Sequence, residues 1–234
     1  PVVICPNDTT IDTDADSCSA MFAYIVSATD NCIGASVVQT AGVASGNPFA
    51  EGLTTNTFVA TDSAGLTANC SFDVTVLDNQ LPTVTCDAST VWLDAFGESI
   101  VVADDFITAT ADQCGAVTKA IAPDTLNCTN LGVENVVVTV TDIGGNMTTC
   151  GTTVTVLDTI TPELSACPND TTTDNSAGNC NVSITWTAPT ATDNCTLPAI
   201  TSSHNPGDDF MVGTTTVTYW ATDGAGNQDS VSYT

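Results

Sequence analysis

The chain repeats itself three times at a fixed step. Ala60-Thr61-Asp62-Ser63-Ala64-Gly65 returns as Val140-Thr141-Asp142-Ile143-Gly144-Gly145-Asn146 and as Ala221-Thr222-Asp223-Gly224-Ala225-Gly226-Asn227. Cys5, Cys86 and Cys167 keep the same step, as do Cys32, Cys114 and Cys195, and Gly52, Gly132 and Gly213. A period this long means tandem copies of one small domain. The boundaries fall at residues 1–79, 80–159 and 160–234, and each copy is small enough to need covalent help in holding its fold.

Within each copy the apolar period is two, as in Ser71-Phe72-Asp73-Val74-Thr75-Val76 and Thr216-Val217-Thr218-Tyr219. Phe58, Val138 and Tyr219 stand at equivalent places before an Ala/Val-Thr-Asp turn and are expected to face the core. Turn residues break the strands at short intervals. Of the 27 acids only four are Glu, and Asp favours turns where Glu favours helices. The expectation is an all-β chain of tandem immunoglobulin-like β-sandwiches in an extended rod, stiffened by short linkers that each end in Pro. The third copy stops at Tyr233-Thr234, where the first runs on through Val74-Thr75-Val76-Leu77-Asp78, so its last strand is expected to be missing. Either the sequence simply ends there or a neighbouring chain supplies the strand.

A net charge of −26, with Lys119 as the one basic side chain, excludes phosphate-binding surfaces and hence nucleic acid as a partner. It also excludes attraction to an anionic membrane. With 42% apolar residues the charge does not signal disorder. Eleven cysteines at repeating positions, without a Cys-x-x-Cys pair, indicate disulfides and an oxidising, extracellular compartment.

The pairing suggested by substitution between copies is Cys5 with Cys70, Cys18 with Cys32, Cys86 with Cys150, Cys114 with Cys128, and Cys180 with Cys195. Cys114 takes Cys128 in this scheme because the second copy has no counterpart of Cys18. Cys167 is left unpaired, since Val231 stands where Cys70 would be. Other pairings stay formally open.

The string Cys5-Pro6-Asn7-Asp8-Thr9-Thr10, followed by Ala28-Thr29-Asp30-Asn31-Cys32, Ala60-Thr61-Asp62 and Cys70-Ser71-Phe72, resembles the hyalin repeat (HYR) domain. The third copy carries the same signature in Cys167-Pro168-Asn169-Asp170 and Ala191-Thr192-Asp193-Asn194-Cys195, but lacks the fourth cysteine. The second copy is similar to a related bacterial surface repeat. The resemblance implies immunoglobulin-like modules strung through large extracellular proteins, among them bacterial adhesins and filaments, with adhesion or scaffolding and no catalysis.

No catalytic constellation stands out. His204, the only histidine, sits in a Ser202-Ser203-His204-Asn205-Pro206 turn, which is not a triad signal. No cofactor is required. Calcium is the candidate ion, because short Asp-rich loops supply the oxygens it takes. Asp30, Asp62, Asp78, Asp142, Asp158, Asp193 and Asp223 recur at turns and junctions and are the candidate ligands. The competing reading is that these carboxylates cap their own turns. Trp92, Trp186 and Trp220 are candidates for sugar stacking, with sheet packing the simpler reading. The expected function is that of a disulfide-stabilised structural or interaction segment of a long surface fibre or adhesin. Its partners would be neighbouring copies of itself, adjacent repeats, or surface glycans and proteins. The alternative is a spacer or glycan-binding accessory of a secreted hydrolase.

Overall fold

The computed structural model describes residues 1–175 and 178–234. Its strands follow the sequence period. The first copy holds β1 (Val2–Ile4), β2 (Thr9–Asp12), β3 (Ser19–Phe22), β4 (Ser27–Thr29), β5 (Ser36–Ala41), β6 (Asn47–Ala50), β7 (Gly52–Thr61) and β8 (Thr67–Leu77). The second repeats the set as β9 (Thr83–Cys86), β10 (Ser89–Trp92), β11 (Glu98–Ile100), β12 (Ile107–Ala111), β13 (Thr118–Ala122), β14 (Thr125–Asn127), β15 (Gly132–Thr141) and β16 (Met147–Leu157). The third holds β17 (Glu163–Leu164), β18 (Asn181–Ser183), β19 (Ala191–Thr192), β20 (Ala199–Ser202), β21 (Asp209–Met211), β22 (Val217–Thr222) and β23 (Gln228–Tyr233). Among the described residues, helix is confined to two single 3-10 turns.

The main sheet has the order β2-β8-β7-β5 in the first copy and β10-β16-β15-β13 in the second. β2 joins β8 in parallel, with Thr9 opposite Val74 and Asp12 opposite Leu77, and β10 joins β16 in the same way. The pairs β1-β4 and β3-β6 supply the other layer. Alternation along β7 buries Asn56, Phe58 and Ala60, and along β8 it buries Phe72, Val74 and Val76. Phe49 from β6 meets them from the opposite layer. Tyr24 packs edge-on to Phe72 with centroids 4.9 Å apart. Val138 and Tyr219 are buried, as their place before the turn predicts. Gly52 and Gly132 open their long strands at positive φ (+98° and +102°), where a side chain is strained, and Gly213 keeps a positive φ (+142°) in the segment before β22.

The chain divides into two compact units. One comprises Pro1–Cys86, Ile107–Ala120 and Val138–Cys150, and the other Asp87–Phe106, Ile121–Val137 and Gly151–Thr234. The first copy therefore lies in one unit and the third in the other, while the residues of the second are divided between them.

The last strand of the third copy in this sequence is β23. β23 pairs with β22 over Gln228–Tyr233 and corresponds to the first half of β8. Thr171 N–H donates to the Thr234 carbonyl at 2.9 Å. A groove of about 480 Å³ lies there, lined by Val182, Trp186, Phe210, Val217 and Tyr233.

Four disulfides are formed: Cys5–Cys70, Cys86–Cys150, Cys18–Cys114 and Cys128–Cys195. The last two replace the expected Cys18–Cys32, Cys114–Cys128 and Cys180–Cys195 pairings. The reason is positional. Cys32 lies at the end of its sandwich where the chain enters, because the Asp30 carboxylate beside it meets the Pro1 amino group. Cys18 lies at the end where the chain leaves, because the side chain of linker residue Gln80 donates to the Asp14 and Ser17 carbonyls at 3.0 and 2.8 Å. The two cysteines are near in sequence and at opposite ends of the fold. Cys32, Cys167 and Cys180 carry free thiols.

Candidate functional site

The sequence of each junction builds the same small site. A long strand ends on an Asp, a Pro-terminated linker follows, and two turns of the next copy close over that Asp. In the first unit this gathers Asp78, Asp112 and Asp142, each offering a carboxylate oxygen within 4.8 Å of the others. In the second unit the equivalent trio is Asp158, Asp193 and Asp223. Asp78, Asp142, Asp158 and Asp223 are all more than nine-tenths buried.

Each carboxylate also organises its own turn. Asp112 accepts from the Cys114 N–H at 2.8 Å, and Asp193 from the Cys195 N–H at 3.0 Å. Asp142 accepts from the Asn146 N–H at 2.8 Å, and Asp223 from the N–H groups of Ala225, Gly226 and Asn227. The asparagine side chains then tie the turn to the preceding copy. Asn146 Nδ2 donates to the Asp142 carboxylate at 2.9 Å and to the Asp78 carbonyl at 3.0 Å. Asn227 repeats both bonds with Asp223 and the Asp158 carbonyl, at 2.8 and 3.1 Å. Burial pushes the Asp223 carboxyl up, but these hydrogen bonds outweigh it and hold the group below the usual carboxylate range.

Turn capping does not use every oxygen. Asp78 Oδ1 accepts from Gln80 N–H at 3.0 Å, while its Oδ2 is buried without a partner. Asp193 Oδ1 is likewise buried and unpartnered. Carboxylates 4.8 Å apart repel by about 3 kcal/mol per pair at an effective dielectric of about 20. One Lys in the whole chain cannot neutralise two such trios.

In the first copy the corresponding pair, Asp30 and Asp62, lies around the Pro1 nitrogen, at 3.0 and 4.0 Å. A backbone hydrogen bond from Cys32 holds the Asp30 carboxyl below its ordinary value.

All seven Asp singled out in the sequence thus fall into three groups at successive entries. Asp112 is the ligand-type residue that sequence reasoning missed. The signal was present: Asp112-Gln113-Cys114 has the same Asp-x-Cys spacing as Asp30-Asn31-Cys32 and Asp193-Asn194-Cys195.

A cystine stands two residues from the second Asp of each trio. Cys18–Cys114 has its Cα atoms 4.9 Å apart, and Cys128–Cys195 5.2 Å. Cys128 does the work of Cys18 in the second copy because Gly97 leaves room for it. A Cβ at Gly97 would lie 2.5 Å from the Cys128 sulfur. Asn194 Nδ2 donates to the Asp94 carbonyl at 3.0 Å at the same place.

The remaining candidates lie elsewhere. His204 Nδ1 is 3.1 Å from Ser203 Oγ, and its ring packs on Phe210. Trp186 is half-buried and donates to the Tyr219 hydroxyl at 2.8 Å, whereas Trp92 and Trp220 are exposed on their strands.

The family model of the HYR domain matches residues 1–76 and 157–234. Hyalin of Strongylocentrotus purpuratus is 33% identical over 202 residues, which is 82% of this chain and 17% of that protein. Hyalin of Lytechinus variegatus is 33% identical over 215 residues, 88% of this chain and 40% of that protein. The chain therefore spans less than half the length of either relative. Among solved structures, human CDH23 EC21-23 superimposes with a TM-score of 0.37 at 13% identity, covering 97% of both chains.

Proposed function

The chain belongs to the HYR domain family, and on that premise we propose that it is a non-catalytic structural segment of an extracellular surface fibre or adhesin, built to hold successive repeats in fixed order. The observation that carries this reading is that two of the four disulfides join one copy to the next rather than closing a copy on itself. A flexible tether needs no such bond, whereas a spacer under load does. Disulfides persist only in oxidising surroundings, in keeping with an extracellular protein. The test is immunolabelling of intact, unpermeabilised cells with antibody against this chain, alongside adhesion of cells from which the segment has been deleted. Surface labelling with loss of adhesion is expected. Labelling only after permeabilisation would overturn the reading.

The two Asp trios serve this role by taking a divalent cation between copies. Calcium is the ion whose preference for oxygen ligands in short acidic loops fits them. The support is the unpartnered, buried Asp78 Oδ2 within a group of carboxylates that otherwise repel. Thermal melting of the whole chain in chelator and in calcium checks this. Calcium at 100 times its dissociation constant raises stability by about 2.7 kcal/mol per site. Asp78→Asn removes most of the increment from one site, and an unchanged midpoint in the unsubstituted chain would refute the assignment.

A further inference from the structure

Each bridge between copies has two unlike halves. The half on the later copy is the cysteine of an Asp-x-Cys turn, Cys114 or Cys195. The half on the earlier copy lies at that copy's exit end, Cys18 or Cys128. Cys32 and Cys180 are one half of each kind, exposed and unbonded.

The local geometry of both matches that of their bonded counterparts. Cys32 N–H donates to Asp30 Oδ1 at 2.8 Å, just as Cys114 N–H donates to Asp112 Oδ1 at 2.8 Å and Cys195 N–H to Asp193 at 3.0 Å. The turn that presents the sulfur is therefore formed in all three copies. Cys180 stands immediately before β18, as Cys18 stands immediately before β3. Its carbonyl accepts from the Val212 N–H at 3.3 Å, and that of Cys18 accepts from the Glu51 N–H at 3.1 Å. The chain thus carries the two complementary halves of one bond on its first and third copies.

We infer that Cys32 and Cys180 are bonding positions for further repeats of this family, set head to tail, so that the bridges seen at both internal junctions continue beyond these three copies. Cys180 takes the Asp-x-Cys cysteine of a following repeat, and Cys32 takes the exit-end cysteine of a preceding one. Cys167 has no place in this series. Its counterparts Cys5 and Cys86 bond within their own copies, and its own in-copy position is Val231.

Bond formation needs an oxidant, and a small disulfide such as oxidised glutathione suffices. One cysteine thiolate attacks it, forming a mixed disulfide and releasing one glutathione thiolate. The second cysteine thiolate then displaces the other glutathione. Two cysteine thiols and one oxidised glutathione become one cystine and two reduced glutathiones.

The inference extends the structural reading above, and its test is independent of where the protein resides. The purified chain is incubated concentrated in a glutathione redox buffer, alkylated, digested without reduction and mapped by mass spectrometry. The expected product is a ladder of multimers joined by Cys32–Cys180 links between chains. The ladder is lost in Cys32→Ser and in Cys180→Ser, and retained in Cys167→Ser. Multimers that persist in Cys32→Ser, or that contain mainly Cys32–Cys32 or Cys180–Cys180 links, would overturn the inference. So would thiols that stay monomeric and alkylatable throughout. The chain prepared from its source under alkylating conditions gives a second readout. There the Cys180 peptide is expected to be bonded to a peptide bearing an Asp-x-Cys sequence. Free thiols at both positions in that material would also refute the inference.

Discussion

Pulling the oxidised chain by its two ends distinguishes the observed disulfide connectivity from any scheme that closes each copy separately. With the protein unfolded by force, the shortest covalent route runs from Pro1 to Cys18, crosses to Cys114, continues to Cys128, crosses to Cys195 and ends at Thr234. That route keeps roughly 70 backbone steps, a limit of about 250 Å at about 3.4 Å per residue. Full reduction releases all 234 residues and extends the limit to about 790 Å, roughly threefold. The sharper perturbation is Cys18→Ser with Cys114→Ser. The load then passes through Cys5–Cys70, Cys86–Cys150 and Cys128–Cys195, and the limit grows by only about 40 Å. If Cys18 were instead bonded to Cys32, the same bond would lie inside the Cys5–Cys70 loop and its removal would change nothing. Single-molecule force spectroscopy resolves the two outcomes, and an unaltered contour length in the double variant would refute the connectivity argued here.

Three further predictions concern the junctions and the core. Gly97→Ala places a methyl against the Cys128 sulfur and the Asn194 carbonyl at a backbone φ of +74°; free-thiol titration is expected to find Cys128 and Cys195 partly reduced, where the unsubstituted chain shows only Cys32, Cys167 and Cys180. Asp223 has a folded pKa below its unfolded value of about 3.9, so its contribution is complete above that pH and disappears as pH falls through the folded value; acid melting curves of Asp223→Asn should therefore lose part of the fall in midpoint below about pH 4. Phe72→Ala empties the centre of the first sandwich, where Tyr24 and Phe58 both pack on the ring, and costs about 3–5 kcal/mol as measured by chemical denaturation.

The sandwich was legible because its signals are local. A period of two along β7 and β8 and a glycine at the start of β7 and of β15 are properties of a few consecutive residues, and each has one physical meaning. The turn aspartates were legible for the same reason. The trios were not, since their members come from the end of one copy and two separate turns of the next. Asp112 is less legible because its neighbours, Ala111 and Gln113, differ from Thr29 and Asn31, although the spacing to the cysteine is kept. The cysteines show the limit most clearly. Treating each copy as a closed unit made Cys18 and Cys32 natural partners at a short separation. The fold sends one to the exit and the other to the entrance, so each meets the neighbouring copy instead. The same treatment placed the break of the third copy at a strand boundary, whereas β8 runs unbroken through the corresponding point.

The four bridges overlap in sequence: Cys5–Cys70 reaches past Cys18, Cys18–Cys114 past Cys86, and Cys86–Cys150 past Cys128. Any single scission of the backbone between Cys5 and Cys195 consequently falls inside at least one closed ring. A protease that nicks the molecule once in that region frees no fragment, and the two pieces stay shackled until the sulfurs are reduced.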